Sequence, residues 1–353
     1  MQTFHNPLHA RHAGQFEMFR GQLVPCHEVP DRVDFVLTEL QRRQLGPITA
    51  PALNPASLAA NGLADVLASV HQSRYLAFLE SAWSQWVALN PAHASQDALP
   101  SVWPVRGFRA DVEPDNFAAR MGLYSFDSGS PLTAGTWAAA QAGAACALAA
   151  AQAVLNGIPS AFALTRPPGH HAGPDFFGGY CFINNAAVAA HTLRQRFERV
   201  AVLDVDYHHG NGTQSIFYSR ADVLTISLHG DPRTEYPFFL GHADERGEGA
   251  GLGANLNLPL PRGTGFAEWH DSLLTALTAV REFGAQALVV PLGVDTFAGD
   301  PISGFRLQSA DYLQVGRTLA GLGLPTVFTF EGGYAVAEVG VNTANVLQGF
   351  QQA

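Results

Sequence analysis

The stretch VAVLDVDYHHGNG, residues 200–212, joins an apolar run to a cluster of titratable side chains. Its first half is rich in β-branched residues, as expected for a strand buried on both faces of a parallel sheet. Its second half places two carboxylates and two imidazoles within the positions 204–209. Because these groups follow a buried strand, they need a cation or one another as partners. The stretch therefore predicts a strand that ends in a functional site.

Apolar runs of the same kind recur along the chain, at 160–165, 223–228, 287–294 and 325–331. Helix-forming patterns lie between several of them: residues 136–156 stop at Gly157, and residues 267–283 stop at Gly284. Strand–helix–strand repetition predicts an α/β fold with an open parallel sheet flanked by helices. No linker or internal repeat divides the sequence, so we expect a single domain over 1–353, with 45–60 as a surface loop.

Polar side chains follow the predicted strands where each strand ends. They are Arg166, His170 and His171; Asp206, His208 and His209; His229; Asp295; and Gly332, Gly333 and Tyr334. In open α/β sheets the ligand crevice lies outside the carboxyl ends of the strands. These residues are therefore predicted to converge on one place.

A metal site is predicted at this edge of the sheet. Asp206 and His208 project to the same side of an extended chain and can bind one ion together, with Asp295 as a third ligand. Asp204 shares that side and can hold a second cation with neighbouring carbonyls. Two carboxylates and one imidazole suit Zn²⁺ with an open position, although Fe²⁺ or Co²⁺ would be accepted. The alternative, a buried salt-bridge cluster, is disfavoured because 200–219 contains no Lys or Arg.

A metal with an open position suggests hydrolysis, which also needs a base for the water and an acid for the leaving amine. His170 and His171, on a Pro- and Gly-rich loop, fit those tasks, and Tyr334 on a Gly-Gly turn can donate to an oxyanion. Taken alone, each has a simpler interpretation. Loop histidines often only bond nearby backbone, and a tyrosine in a turn is often exposed.

Composition limits the possible partners and compartments. The net charge of −10 disfavours a sequence-independent grip on nucleic acid and favours a small cationic substrate. No uninterrupted apolar run approaches the length of a membrane span, and the N-terminus lacks the apolar centre of a signal peptide. Cys26, Cys146 and Cys181 are far apart, which argues against disulfides and structural zinc. We therefore expect a cytoplasmic protein that does not bind membranes or nucleic acid.

Six ordered motifs resemble the zinc-dependent histone deacetylase family. They are RPPGHHA at 166–172, GYCFINNAAVAA at 179–190, LDVDYHHGNGTQ at 203–214, SLH at 227–229, GVDTFAGDP at 293–301 and EGGY at 331–334. Within that family, three further stretches are similar to the bacterial acetylpolyamine amidohydrolases: GQLVPCHEVPDR at 21–32, HGDPRTEYPFFLG at 229–241 and VGVNTANVLQG at 339–349. The resemblance implies the arginase/deacetylase fold and removal of acetyl groups from polyamines or small diamines.

The resemblance also implies residue roles. Zinc would bind Asp206, His208 and Asp295; His171 would be the general base and acid, His170 its electrostatic partner, and Tyr334 the oxyanion donor. Structural potassium would bind Asp204, Asp206, His208, Ser227 and Leu228, partly through their carbonyls, and a second monovalent site would use the carbonyl of Phe217 and its neighbours. A narrow tunnel would be walled by Tyr180, Gly179 and Tyr236, with Ile302 near its floor.

A loop inserted at about 102–131 would narrow the tunnel mouth and, with residues 14–30, form a homodimer interface. Phe16, Phe19, Phe108 and Phe117 would then be buried between subunits. The polyamine enzymes carry two carboxylates in this loop where the chain has Ala118 and Gly129. Asp111, Glu113, Asp115 or Asp127 would then have to recognise a substrate ammonium in their place. Asn211 replaces an aspartate found in some family members and leaves the His171 dyad less negative.

Three other functions compete with the acetylpolyamine interpretation. A protein acetyl-lysine deacetylase is the main alternative. A manganese ureohydrolase would need a further carboxylate two positions beyond Asp295, where the chain has Phe297. A non-catalytic binder would typically have lost His170, His171 or Tyr334, and all three are present.

Overall fold

The computed structural model describes residues 1–105 and 107–353, so Arg106, inside the predicted loop 102–131, lies outside the described residues. The strands are β1 (Gln2–His5), β2 (Phe16–Phe19), β3 (Gln22–Pro25), β4 (Ile48–Thr49), β5 (Ser160–Leu164), β6 (Val200–Asp204), β7 (Val223–Gly230), β8 (Asn255–Leu260), β9 (Ala287–Leu292) and β10 (Thr326–Phe330). Strands β2 and β3 form a separate antiparallel hairpin, and the other strands form one sheet.

The eight-stranded sheet is parallel throughout, in the order β4-β1-β5-β10-β9-β6-β7-β8. Each of the five predicted apolar runs forms a strand, and these five occupy the middle of the sheet with every residue buried. The other three strands of the sheet, β1 and the edge strands β4 and β8, were not predicted. Strand β4 has only two residues, and β8 mixes buried with half-buried positions. Neither strand therefore contains a continuous apolar run of the kind used for the prediction.

The helices are α1 (Asp31–Arg42), α2 (Pro55–Ala60), α3 (Leu63–Val70), α4 (Ser73–Leu89), α5 (Phe117–Leu123), α6 (Thr136–Leu155), α7 (Asn185–Leu193), α8 (Asn211–Phe217), α9 (Phe266–Phe283), α10 (Asp311–Ala320) and α11 (Val336–Gln352). Helices α6 and α9 match the predicted patterns. Helix α9 ends at Gly284 in the left-handed conformation, with φ of 68°, which glycine adopts without strain. The predicted surface loop 45–60 instead contains β4 and α2.

Two hydrophobic cores cover the two faces of the sheet. One includes side chains of α3, α4, α6 and α7, and the other includes side chains of α1, α9, α10 and α11. Helices on both faces of a parallel sheet confirm the predicted α/β fold. They also leave the carboxyl edge of the sheet as the place where polar side chains after the strands gather. The single-domain boundary of 1–353 stays a prediction.

Helix α6 is long and apolar enough by composition to cross a membrane. In this fold, however, it lies against β5 and α7 as part of one core, and two thirds of its most apolar window is buried. Its alanines, including Ala144, Ala147 and Ala151, permit this close packing because they are fully buried yet small. Burial in the protein interior therefore accounts for the apolar composition of α6.

Candidate active site

The loops that follow β5, β6, β9 and β10 converge at the carboxyl edge of the sheet, as the sequence predicted. A cavity of about 380 Å³ opens there. The predicted residues that line it are His171, Gly179, Tyr180, His208, Tyr236, Ile302 and Tyr334. Five of the polar groups from separate motifs are thus brought to one buried volume, although they are far apart in the chain.

Asp206, His208 and Asp295 place one potential ligand atom each within 4.8 Å of one another, and all three are buried. His208 Nδ1 lies 2.9 Å from Asp295 Oδ2 and 3.4 Å from Asp206 Oδ1. Backbone N–H groups orient both carboxylates: Gly332 donates to Asp206 Oδ2 at 2.7 Å, and Tyr207 donates to Asp295 Oδ1 at 2.8 Å.

The donor set fits a divalent metal ion. Among the described residues no arginine pairs with either carboxylate, and the positive charge beside them is a histidine proton. Burial, and then the Asp206 carboxylate, raise the pKa of Asp295 to about 7. The adjacent histidines compensate only part of the charge that two ionised carboxylates would carry, so a divalent cation would stabilise the pair. Glycine at 332 lets the backbone lie against both carboxylates, since a Cβ there would lie 2.5 Å from Asp206 Oδ2 and 2.6 Å from Asp295 Oδ2.

The His170 and His171 rings lie with centroids 4.0 Å apart and planes inclined by 43°, yet they have different partners. His170 Nδ1 lies 2.9 Å from Asp204 Oδ2. Burial opposes charge on this ring, but Asp206 and Asp204 raise the pKa of His170 to about 10. His171 Nδ1 lies 2.6 Å from Asn211 Oδ1, and burial, followed by the charges of His170 and His208, lowers the pKa of His171 well below its ordinary value. The two rings therefore hold different protonation states.

Tyr334 reaches the cavity from the turn after β10. Its backbone N–H donates to Asp300 Oδ2 at 2.7 Å. The guanidinium of the fully buried Arg32 lies 4.8 Å from the Tyr334 ring centroid and donates to the Gly333 carbonyl at 2.7 Å. Glu28 accepts from Arg32 at 2.9 Å and from Arg166 at 2.7 Å. An N-terminal ion network thus holds the backbone that carries Tyr334.

Tyr180 and Tyr236 form walls of the cavity. The Tyr180 ring packs edge-on against Tyr334 with centroids 5.5 Å apart, and the Tyr236 ring packs perpendicular to His171 at 5.2 Å. Tyr180 adopts a φ of 66°, which is rare for a bulky residue and concentrates at functional sites. Gly179 precedes it with a φ of 53°, and a Cβ at Gly179 would collide with the His171 ring. Only glycine fits between the tyrosine and the histidine.

The residues assigned to potassium lie beside the catalytic pocket. Asp204 is the register partner of Ser227 across β6 and β7, and both line a second cavity of about 10 Å³. Leu228 follows in β7 and is buried. Phe217 ends α8, and its carbonyl accepts the Arg220 N–H at 2.9 Å.

The inserted loop contributes its last residues, including Phe126, Asp127 and Gly129, to the cavity wall. One expectation for this loop was wrong. Phe117 is only 5% exposed in the single chain because it packs against Phe78 and Trp86, so it is already part of the core. Phe108 and Phe16 are exposed, by 70% and 47%, as an interface would require.

The candidate acids in the loop have other partners. Asp111 pairs with Arg109 on the surface, and Glu113 binds Tyr124 and Arg120. Asp115 is exposed away from the cavity lining. Asp127 lines the cavity, but its oxygens already accept four hydrogen bonds, from Tyr236 Oη, Ser130 Oγ and the N–H groups of Gly129 and Gly179. Asp127 therefore connects the segments that form the cavity walls.

Sequence reasoning missed four residues of the site. Arg32, Asp300 and Glu331 support the reacting groups, and Glu17 lines the cavity. Glu331 Oε2 accepts from the N–H groups of Gly169 and His170 at 2.6 and 3.1 Å. All four lie inside stretches that the sequence analysis discussed, but the predicted roles there went to neighbouring residues. The signal that could have identified them is that each is a charged residue inside one of those short stretches.

Comparison with known proteins agrees with this geometry. Residues 26–350 match the family described as the histone deacetylase domain. The chain is 50% identical to Acetylpolyamine amidohydrolase 2 of Pseudomonas aeruginosa, over 99% of both chains. It is 45% identical to Acetylpolyamine amidohydrolase of Mycoplana ramosa, again over 99% of both chains. The crystal structure of acetylpolyamine aminohydrolase from Burkholderia pseudomallei has a TM-score of 0.91 at 38% identity, covering 99% of this chain and 98% of that one.

The chain therefore belongs to the histone deacetylase family. Within it, the chain is similar over its full length to the bacterial acetylpolyamine amidohydrolases. Both predicted resemblances, and the fold that they imply, are confirmed.

Proposed function

We propose that this protein is a metal-dependent amidohydrolase that removes acetyl groups from acetylated polyamines or small diamines. The observation that carries the proposal is the shared cavity. His171, His208 and Tyr334 line it together, and the other two metal-ligand candidates lie directly beside His208. Its volume of about 380 Å³ suits a small molecule. The full-length similarity to proteins named acetylpolyamine amidohydrolases supports the substrate class.

Asp206, His208 and Asp295 would hold the metal. When bound, a divalent ion lowers the pKa of water and polarises an amide carbonyl. The donor set of two carboxylates and one imidazole favours Zn²⁺, with Fe²⁺ and Co²⁺ as alternatives.

His171 would move the protons. Asn211 Oδ1 is an acceptor, so His171 Nδ1 carries its hydrogen and Nε2 keeps a free lone pair. A neutral ring of this kind takes a proton from water and returns it to the leaving amine. His170, hydrogen-bonded to Asp204, stays cationic and stabilises negative charge nearby. Burial raises the pKa of Tyr334 well above its ordinary value, which keeps its hydroxyl protonated to donate to the carbonyl oxygen.

Aromatic walls favour a slender substrate. Tyr180 and Tyr236 are held by hydrogen bonds to Glu17 and Asp127, at 2.9 and 2.6 Å, and narrow the path to His171. A flexible acetylated amine passes such walls more readily than a residue of a folded protein does. Phe297 packs into a hydrophobic core rather than supplying a second-metal carboxylate, which disfavours the ureohydrolase alternative.

The test is a comparison of acetate release from N-acetylputrescine, N-acetylcadaverine, acetylspermidine and an acetyl-lysine peptide by the metal-loaded enzyme. We expect kcat/KM to be highest for one of the acetylated amines. A higher value for the peptide would favour the protein-deacetylase alternative. No acetate from any of them would contradict the proposal.

Potassium is proposed at Asp204, Asp206, His208, Ser227 and Leu228, and a second monovalent ion at the Phe217 carbonyl. Support comes from the adjacent Asp204 and Ser227 and the small cavity that they line. Replacing potassium with tetramethylammonium should lower the melting temperature.

The chain is also proposed to act as a cytoplasmic homodimer. The exposed side chains of Phe16, Met18, Phe108, Phe238 and Phe239 support an interface around the cavity mouth. Fractionation of cells and light scattering test the two parts of this proposal.

A further inference from the structure

The turn that carries Tyr334 does not fix its own shape. Gly332 and Gly333 precede the tyrosine, and Gly333 adopts a φ of 134°, which residues with side chains rarely adopt. Because glycine samples a wide range of backbone angles, two in succession leave the direction of the next side chain open. Contacts from other segments must therefore set the position of the Tyr334 hydroxyl.

The first half of this turn is held from one side. Arg32 donates to the carbonyls of Glu331 and of Gly333, the latter at 2.7 Å. The Gly332 N–H donates to a carboxylate of the candidate metal site, also at 2.7 Å. These bonds end at Gly333, so they leave the backbone of Tyr334 itself unfixed.

Asp300 holds the second half of the turn. Its Oδ2 accepts from the N–H groups of Tyr334 at 2.7 Å and of Ala335 at 3.3 Å. Its Oδ1 accepts from the Ile302 N–H at 3.1 Å. Both oxygens of one carboxylate are thus used, and they join the loop after β9 to the turn after β10.

The place of Asp300 suits action through the backbone rather than on a substrate. Tyr334 and Ile302 line the cavity, whereas the lining in the described part of the chain does not include Asp300. Asp300 is only 9% exposed, and its loop also supplies Asp295, one of the candidate metal ligands. The Asp300 carboxylate therefore connects the segment that carries a metal ligand to the turn that carries the proposed oxyanion donor.

We propose that Asp300 is a positioning residue that holds the Tyr334 hydroxyl where it can donate to the substrate carbonyl. This inference rests on the proposed function, because that role of Tyr334 is part of it. Without the carboxylate, the N–H groups of Tyr334 and Ala335 lose their acceptor and the Gly-Gly turn is free to relax. A displacement of about 1 Å near the reacting atoms can lower a rate by about 10²-fold.

A purely structural role would have a different consequence. Helix α11 begins at Val336, and a carboxylate near a helix N-terminus is stabilising. If Asp300 served only this end of the helix, its removal would lower the melting temperature and leave kcat per folded, metal-loaded molecule unchanged. Kinetics and stability therefore distinguish the two roles.

The experiment is a double-mutant cycle between Asp300 and Tyr334, with kcat expressed per bound metal for the best of the four substrates compared above. Asp300→Ala should lower kcat by about 10- to 100-fold with KM nearly unchanged, and by no more than Tyr334→Phe does. In the Tyr334→Phe background the same change should cost less than about threefold, because the hydroxyl that Asp300 positions is already absent.

Three further variants complete the design. Asp300→Asn keeps one oxygen that can accept the Tyr334 and Ala335 N–H groups, so it should recover most of the kcat that Asp300→Ala loses. Asp300→Ser, whose hydroxyl is too short to join both segments, replaces Asp300→Ala in the cycle if that variant does not fold. Asp311→Ala is the matched control, since Asp311 Oδ2 accepts the Gln308 N–H at 2.7 Å at the start of α10. Its kcat should equal that of the wild type.

The outcomes separate this inference from the proposed function. Additive losses in the double variant would overturn the inference, because Asp300 would then act independently of the Tyr334 hydroxyl. An unchanged kcat in Asp300→Ala, or a loss larger than that of Tyr334→Phe, would overturn it as well. If the wild type releases acetate from none of the four substrates, the proposed function itself fails.

Discussion

The floor and the mouth of the cavity are built differently. At the floor, Asp206 and Asp295 are fully buried at the ends of central strands, and backbone N–H groups fix their oxygens. At the mouth, side chains from β2, the inserted loop and the loop after β7 meet, and several are exposed, with Phe239 at 87%. The floor is a rigid arrangement of charges, whereas the mouth is a surface of aromatic residues.

This difference separates chemistry from selection. A buried charge set tolerates little change, because removing one member leaves the others without compensation. Loops on a rigid scaffold tolerate substitution and carry specificity. The mouth is therefore where acceptance of a small amine over a protein would be decided. The following substitutions test that division.

The largest effect is expected at the floor. Asp295→Ala removes one of three proposed metal ligands, and the loss of metal affinity should exceed the about 10- to 100-fold typical of outer-shell partners. Activity should be undetectable. Elemental analysis of the purified protein checks this, with Asp271→Ala on the surface of α9 as the control. Full metal content in Asp295→Ala would contradict the ligand assignment.

The paired histidines should differ in importance. His171→Ala removes the proposed proton carrier and should lower kcat by about 10²- to 10⁴-fold. His170→Ala should cost less, because it removes a charge beside Asp204 rather than the group that transfers protons. Steady-state kinetics on N-acetylputrescine distinguish the two, and equal losses would refute separate roles.

The Tyr334 hydroxyl should matter slightly less than His171. Tyr334→Phe keeps the ring that packs against Tyr180 and Arg32, so fold and metal content should be retained. Loss of one oxyanion donor lowers kcat by about 10²- to 10³-fold. An unchanged kcat with unchanged metal content would show that the hydroxyl does not reach the carbonyl.

The smallest catalytic effect is expected at the mouth. Phe108→Ser combined with Phe239→Ser should convert the proposed dimer into monomers in light scattering, because both rings are exposed apolar surface in the single chain. The catalytic constant for a neutral acetamide should stay within about twofold, since neither ring belongs to the floor. Leu274→Ser, an exposed apolar residue on α9, is the matched control.

These point substitutions test the proposed interface more specifically than a deletion of residues 108–118 would. Such a deletion would remove Phe117 from the hydrophobic core and Glu113 from its contact with Tyr124. A monomer obtained by deletion would then be explained equally well by partial unfolding. A monomeric wild type would contradict the interface directly.

The sequence by itself determined the five central strands and the floor. Runs such as 200–205 are continuous and apolar because both faces of a parallel sheet are buried, and that pattern can be read locally. Asp206, His208 and Asp295 were identifiable because each directly follows such a run, and parallel strands bring their carboxyl ends to one edge.

Only the tertiary structure decided the rest. The burial of Phe117 against Phe78 and Trp86, and the contact of Glu17 with Tyr180 and His27, join segments whose separation in sequence gives no periodic signal. Asp127 and Glu17 look alike as isolated acids. Their partners separate them, because four donors from the walls satisfy Asp127, whereas Glu17 accepts hydrogen bonds from Tyr180 and His27.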